Sequence, residues 1–188
     1  MNPRALIDIL RVAERLKDTT RHCYTSGGRH ESVAEHSWRM TLMAYLVADA
    51  FPQADLLKLL KMCLIHDLGE CFTGDIPAFD KTAADEELEE RLLGEWVDTL
   101  PEPIRSEWQG LYGEMNARES VEAKIFKALD NLEAVIQHNE SDIAGWLPLE
   151  YDLQKKYAWE TVEFSAYLKE LRQQVYEDTL EKIREAEA

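Results

Sequence analysis

The stretch Lys61–Glu70, KMCLIHDLGE, sets apolar side chains on nearly every side of one short helical run and then places His66 beside Asp67. An unpaired charge is among the costliest groups to bury, so this dipeptide needs a partner from elsewhere in the chain. Adjacent helical positions diverge by about 100°, so the two side chains cannot stack, yet both reach a point lying off the face between them. Glu70 follows Asp67 by three positions and His66 by four, and returns over the same region one turn later. A metal ion is such a point.

Working outward, ADLLKLLKMCLIHDLGE is predicted to be one helix, stopped near TGDIP by Gly74 and Pro77. In the preceding segment, SVAEHSWRMTLMAYLVADAF, Ser32 and Glu35 have the spacing of a capping box, so a helix starts at Ser32. His36 then lies in the first turn. Met40, Met43 and Val47 follow it at i+4, i+7 and i+11, which places the imidazole on a buried stripe. Downstream, a helix from about Ser120 to His138 carries the stripe Val121, Ile125, Leu129, Leu132 and Ile136, with Asp130 on its flank beside Phe126.

The rest of the chain is also helical in pattern. A first helix over about residues 3–17 has Leu6, Ile9, Leu10 and Ala13 on one face, and the Gly27-Gly28 pair keeps the polar segment after it from continuing as helix. Residues 81–98 hold the acidic run DEELEERL, with Leu88, Leu92 and Leu93 marking an exposed amphipathic helix whose charges form a solvated face. A last helix, from about Leu153 to Glu185, spaces Phe164, Leu168, Leu171 and Val175 at helical intervals. Strand signals are scarce. The expectation is an all-α helical bundle forming one domain over residues 1–188, with the site core at about 32–138.

A chain of 188 residues buries roughly 70% of the surface its unfolded form exposes, enough for a real core. The 21 Lys plus Arg against 37 Asp plus Glu leave a net charge of −16, a field that repels the backbone of polymeric nucleic acid. The amino terminus lacks the apolar core of a secretory signal, and no run is long and apolar enough to span a bilayer. Cys23, Cys63 and Cys71 form neither an even framework nor a CxxC pair, and Cys63 reads as a small buried hydrophobe. A soluble, reducing, cytoplasmic setting is expected.

His36, His66, Asp67 and Asp130 together make a set of two imidazoles and two carboxylates. Such a nitrogen and oxygen shell suits Co, Mn, Zn, Fe or Ni rather than a soft thiophilic ion. The two aspartates would cancel a double positive charge, which makes their burial tolerable.

The ordered set H…HD…D, in ESVAEHS, IHDLGE, TGDIP and KALDNLE, resembles the HD-domain metal-dependent phosphohydrolase superfamily over most of the chain. The SVAEH and HDxxExxTGDxP forms are most similar to 5'-deoxynucleotidases, which hydrolyse deoxyribonucleoside 5'-monophosphates to deoxynucleoside and phosphate. The resemblance implies a compact HD-type bundle, a homodimer, and one divalent ion held by His36, His66, Asp67 and Asp130. It implies catalytic roles for Glu70, which helps activate the attacking water, for Asp75, and for Arg21, which orients the 5'-phosphate. Arg21, His22, Asp67, Asp75, Ile76, Pro77 and Ala78 would border a small nucleotide substrate.

In that family a tryptophan follows the arginine and discriminates against a ribose 2'-hydroxyl. This chain has His22 there, so a deoxyribose preference is either absent or enforced by another side chain. Two-metal relatives need further histidines between the HD pair and the last aspartate. Residues 68–129 contain none, while His30 and His138 fall outside that interval, so a single ion is expected. The alternatives are an HD phosphohydrolase for another phosphomonoester or a pyrophosphate, and a nucleotide-sensing or structural dimer module without turnover.

Overall fold

A computed structural model describes residues 1–187. Helix α1 (Pro3–Ala13) passes through a 3-10 turn (Glu14–Lys17) into a hairpin of β1 (Thr20–Tyr24) and β2 (His30–Ser32). Then come α2 (Val33–Leu46), α3 (Leu56–Ile65), a 3-10 turn (His66–Gly69), α4 (Glu70–Thr73), α5 (Ala83–Asp98), α6 (Ile104–Ala117) and α7 (Val121–Glu140). The chain ends with α8 (Glu150–Lys156), α9 (Trp159–Val162) and α10 (Ala166–Ala186). The fold is all-α apart from the hairpin, as expected. Among the described residues no helix is long and apolar enough to cross a membrane.

The core is the packing of α2, α3 and α7 on one another, with α6, α9 and α10 closing around α7. Met40, Met62, Ile125, Leu129 and Leu132 are fully buried there, each such side chain stabilising the fold by about 1.5–3 kcal/mol. Cys63 is among them, a small hydrophobe as read from its neighbours. The capping box at Ser32 is present, with Ser32 Oγ accepting from the Glu35 amide and Glu35 accepting from the Ser32 amide. It fixes the start of α2 and so the position of His36.

One expectation is extended and three are corrected. The Gly27-Gly28 pair does more than stop a helix, because it turns the hairpin, with Gly28 at φ 81° where a side chain would be strained. On α1 only Ile9 is buried, packed with Val97 and Leu100. Leu6 and Leu10 are 47% and 57% exposed.

The third helix is not continuous, since its end carbonyls are taken by side chains. His66 Nδ1 donates to Cys63 O at 2.9 Å and Tyr112 Oη donates to Ile65 O at 2.6 Å. These occupy acceptors the α-helical ladder would need, and the HD dipeptide sits in the tighter 3-10 turn.

The last helix is likewise three pieces. Tyr157 is extended and Ala158 lies at φ 69°, while buried Arg172 donates to Gln154 O (2.7 Å) and Tyr157 O (2.9 Å) at the end of α8. Phe164, placed on the buried stripe by spacing, is exposed just before α10, whereas Leu168 and Val175 are buried.

Candidate metal centre and substrate cavity

Three elements bring the four sequence-selected donors together. α2 supplies His36, the 3-10 turn supplies His66 and Asp67, and α7 supplies Asp130. His36 Nε2 lies 3.2 Å from Asp130 Oδ1 and 3.8 Å from Asp67 Oδ2. His66 Nε2 lies 2.9 Å from Asp67 Oδ2 and 3.9 Å from Asp130 Oδ1. The flank of α7 that carries Asp130 therefore faces the site, where Lys127 Nζ also reaches Asp130 Oδ2 at 2.7 Å.

The two imidazoles are held alike. Each uses Nδ1 within the protein, His36 toward Glu133 and His66 toward the Cys63 carbonyl. Each leaves Nε2 buried with no hydrogen-bond partner among the described residues. Two partnerless nitrogens facing two carboxylates fit a divalent cation, because a buried polar atom left unpaired is otherwise destabilising.

The electrostatics fit it too. Burial works against the ionised form of Asp130, yet Lys127 and His36 hold it well below the usual carboxylate range. Burial also opposes ionisation of Asp67, while His66 keeps it down at about 2.

Asp67 and Asp130 line a cavity of about 380 Å³, within the range of small-molecule sites. Arg21, His22, Asp67, Glu70, Asp75, Ile76, Pro77 and Ala78 all line it, so every expected substrate-facing residue borders one space. β1 delivers Arg21 and His22. Gly74, at φ 78° where glycine is favoured, ends α4 and swings Asp75–Phe79 over the cavity.

Arg21 Nε is ion-paired at 3.1 Å with buried Glu31 of β2. Glu70 is buried beside the donors. Burial first, then Asp67 and Asp75, push its carboxyl up to about 10. Burial likewise raises Asp75.

Sequence reading missed three contributors. Glu133, fully buried behind His36, sits one turn after Asp130, and a charge on the apolar stripe of a central helix is the signal that marks it. His138, set aside because it falls after Asp130, lines the cavity with Glu150 of α8. Glu150 offers no local signal, since its place depends on how α8 folds back.

The fold and site define a class, the metal-dependent phosphohydrolases built on a helical HD core. The chain belongs to the HD domain family, whose model matches residues 13–172.

Among its relatives, the human 5'-deoxynucleotidase HDDC2 is 34% identical over 73% of this chain and 68% of its own length. The Dictyostelium discoideum 5'-deoxynucleotidase HDDC2 is 29% identical over 71% of this chain and 76% of its own. A crystal structure from Magnetospirillum magnetotacticum, described as a predicted metal-dependent phosphohydrolase, superposes with TM-score 0.82 at 26% identity, covering 95% of each chain. A conserved hypothetical protein from Pyrococcus furiosus gives TM-score 0.70 at 29% identity, over 90% of this chain and 98% of its own.

Proposed function

We propose that this protein is a 5'-nucleotidase of the deoxynucleotidase type, hydrolysing (deoxy)ribonucleoside 5'-monophosphates to nucleoside and phosphate. The observation that carries this reading is the pair of partnerless Nε2 atoms facing two aspartates on the floor of a cavity that also holds Arg21, Glu70 and Asp75. The names of the relatives support the substrate class.

His36, His66, Asp67 and Asp130 would hold one divalent ion of the Co, Mn, Zn, Fe or Ni group. Bound there, it supplies Lewis acidity toward a phosphoryl oxygen and water. Arg21 grips the phosphate oxygens and offsets their charge inside an acidic protein.

Glu70 orients the attacking water and takes its proton as the new P–O bond forms. A nearby positive charge favours its carboxylate form, reversing the upward push of burial. Asp75, lining the same cavity, gives a proton to the 5'-oxygen as the old P–O bond breaks. The products are the nucleoside alcohol and inorganic phosphate. Positioned acid–base groups of this kind contribute about 10² to 10⁴-fold.

The homodimer expected from the resemblance is supported by an unpartnered apolar face on α2, and a reducing cytoplasmic setting by three free, buried cysteines.

The test is to strip the protein of metal, restore each ion in turn, and measure phosphate release from deoxy- and ribonucleoside 5'-monophosphates. Release is expected with at least one ion, and Glu70→Gln should lower kcat at least about 100-fold with the metal still bound. Failure of every ion to restore release would favour the sensing module instead.

A further inference from the structure

The cavity has two chemically different ends. One is the donor floor with Asp67 and Asp130. The other is lined by His22, Phe79, His138, Glu150 and Gln154.

Glu150, buried at the start of α8, organises this far end. Its Oε1 lies 3.0 Å from His22 Nε2, and its Oε2 accepts the Leu147 amide at 2.6 Å while lying 3.5 Å from His138 Nε2. The His22 and His138 rings are nearly parallel, at 21° with centroids 6.5 Å apart, and Phe79 meets His22 edge-on at 5.5 Å. Trp146 backs His138 at 4.5 Å. Each ring is thus fixed from behind.

Two polar atoms of this wall have no hydrogen-bond partner among the described residues, His138 Nε2 and Gln154 Oε1. Both side chains belong to residues more than nine-tenths buried, His138 at 5% and Gln154 at 7% exposure. Buried polar atoms are nearly always paired, so unpaired ones that line a cavity mark where a ligand supplies the missing partner. Both side chains border the same cavity as His22, Phe79 and Glu150, where the organic part of a phosphate ester would lie.

We propose that His138, Glu150 and Gln154, with His22 held by Glu150, form a subsite that hydrogen-bonds the hydroxyl groups and amide edges of a nucleoside. The proposal rests on the nucleotidase reading and deepens it by giving the organic half of the substrate a binding site. A wall of this kind selects by pairing. A ligand that lacks the matching groups leaves buried atoms unsatisfied and is rejected more strongly than one that is merely the wrong size.

The experiment compares nucleoside 5'-monophosphates with p-nitrophenyl phosphate, whose aryl group has no hydroxyl to pair. In His138→Phe and, separately, Gln154→Leu, the ratio of nucleotide to p-nitrophenyl phosphate kcat/KM should fall about 10-fold, through nucleotide KM. Calorimetry with the phosphate-free nucleoside, independent of turnover, should show binding to the metal-loaded wild type and a matching loss in both variants. Equal losses on both substrates, or nucleoside binding unchanged in the variants, overturns the subsite. Nucleoside binding that follows these residues in a protein releasing no phosphate would keep the subsite and reject the nucleotidase reading.

Discussion

At the scale of single residues, Glu133 explains how His36 is held ready. Its carboxylate is fully buried and accepts a hydrogen bond from His36 Nδ1, which orients the ring with Nε2 toward Asp67 and Asp130. Arg39 Nε, 3.7 Å from the other Glu133 oxygen, balances the charge. In Glu133→Gln the shape stays but the negative charge behind the imidazole is gone, and ligand basicity falls with it. Affinity for the restored ion should drop about 10 to 100-fold, read by competition with a chelator. Affinity equal to wild type would reduce Glu133 to a packing residue. The contrast with Asp130 shows what was legible: helical spacing put Asp130 on a flank, and the motif KALDNLE singled it out. No spacing says which neighbouring helix a flank will face. The hydrogen bond between Glu133 and His36 joins residues 97 positions apart in the chain, a relation that only the packing of α7 on α2 creates.

Among the elements, those legible in the sequence were the ones with strong local signals. The capping box starting α2 and the apolar stripe of α7 both stand, because each is decided within a few residues. The breaks were not legible, since tertiary hydrogen bonds make them. α8 through α10 read as one helix until Arg172 reaches back to the Gln154 and Tyr157 carbonyls and lies 4.8 Å from the centre of the Trp159 ring. That clamp fixes α8, which carries Glu150 and Gln154 into the cavity. Arg172→Met keeps the buried stem but removes two charge-assisted bonds, each worth about 1.5–3 kcal/mol. A stability loss of about 3 kcal/mol is expected, a Tm fall of roughly 6–12 °C for a chain of this size. Because α8 loosens, nucleotide KM should also rise at temperatures where the variant is folded. A fall in Tm with nucleotide KM unaltered would separate the clamp from the cavity. The same reasoning accounts for the 3-10 turn at His66, where Tyr112 of α6 takes a carbonyl that no local pattern could show as occupied.

For the whole molecule, the question is what covers the outer face of α2. Its inner face buries His36, Met40, Ala44 and Val47, while Trp38, Leu42, Tyr45 and Leu46 recur on the opposite side at i, i+4, i+7 and i+8. Trp38 is 63% and Leu46 67% exposed. A helix that is apolar on two faces belongs inside something, and a contiguous apolar stripe on a free surface marks an interaction site. Leu57 and Leu64 of α3, which packs on α2, are exposed as well. A second copy is the proposed occupant. Two chains each carrying a net charge of −16 repel at long range, so the association must come from apolar burial, with a standard interface hiding about 1,600 Å² in total. Screening by salt then strengthens the dimer rather than weakening it. Sedimentation of the wild type at micromolar concentration should give a dimer whose dissociation constant falls as salt rises from low to physiological levels. Trp38→Glu combined with Tyr45→Glu should give a monomer with little change in Tm, because substitutions at such exposed positions usually alter stability by less than about 0.5 kcal/mol. A wild type that sediments as a monomer, or a dimer that both glutamates leave intact, would show that α2 is not the face the two copies share.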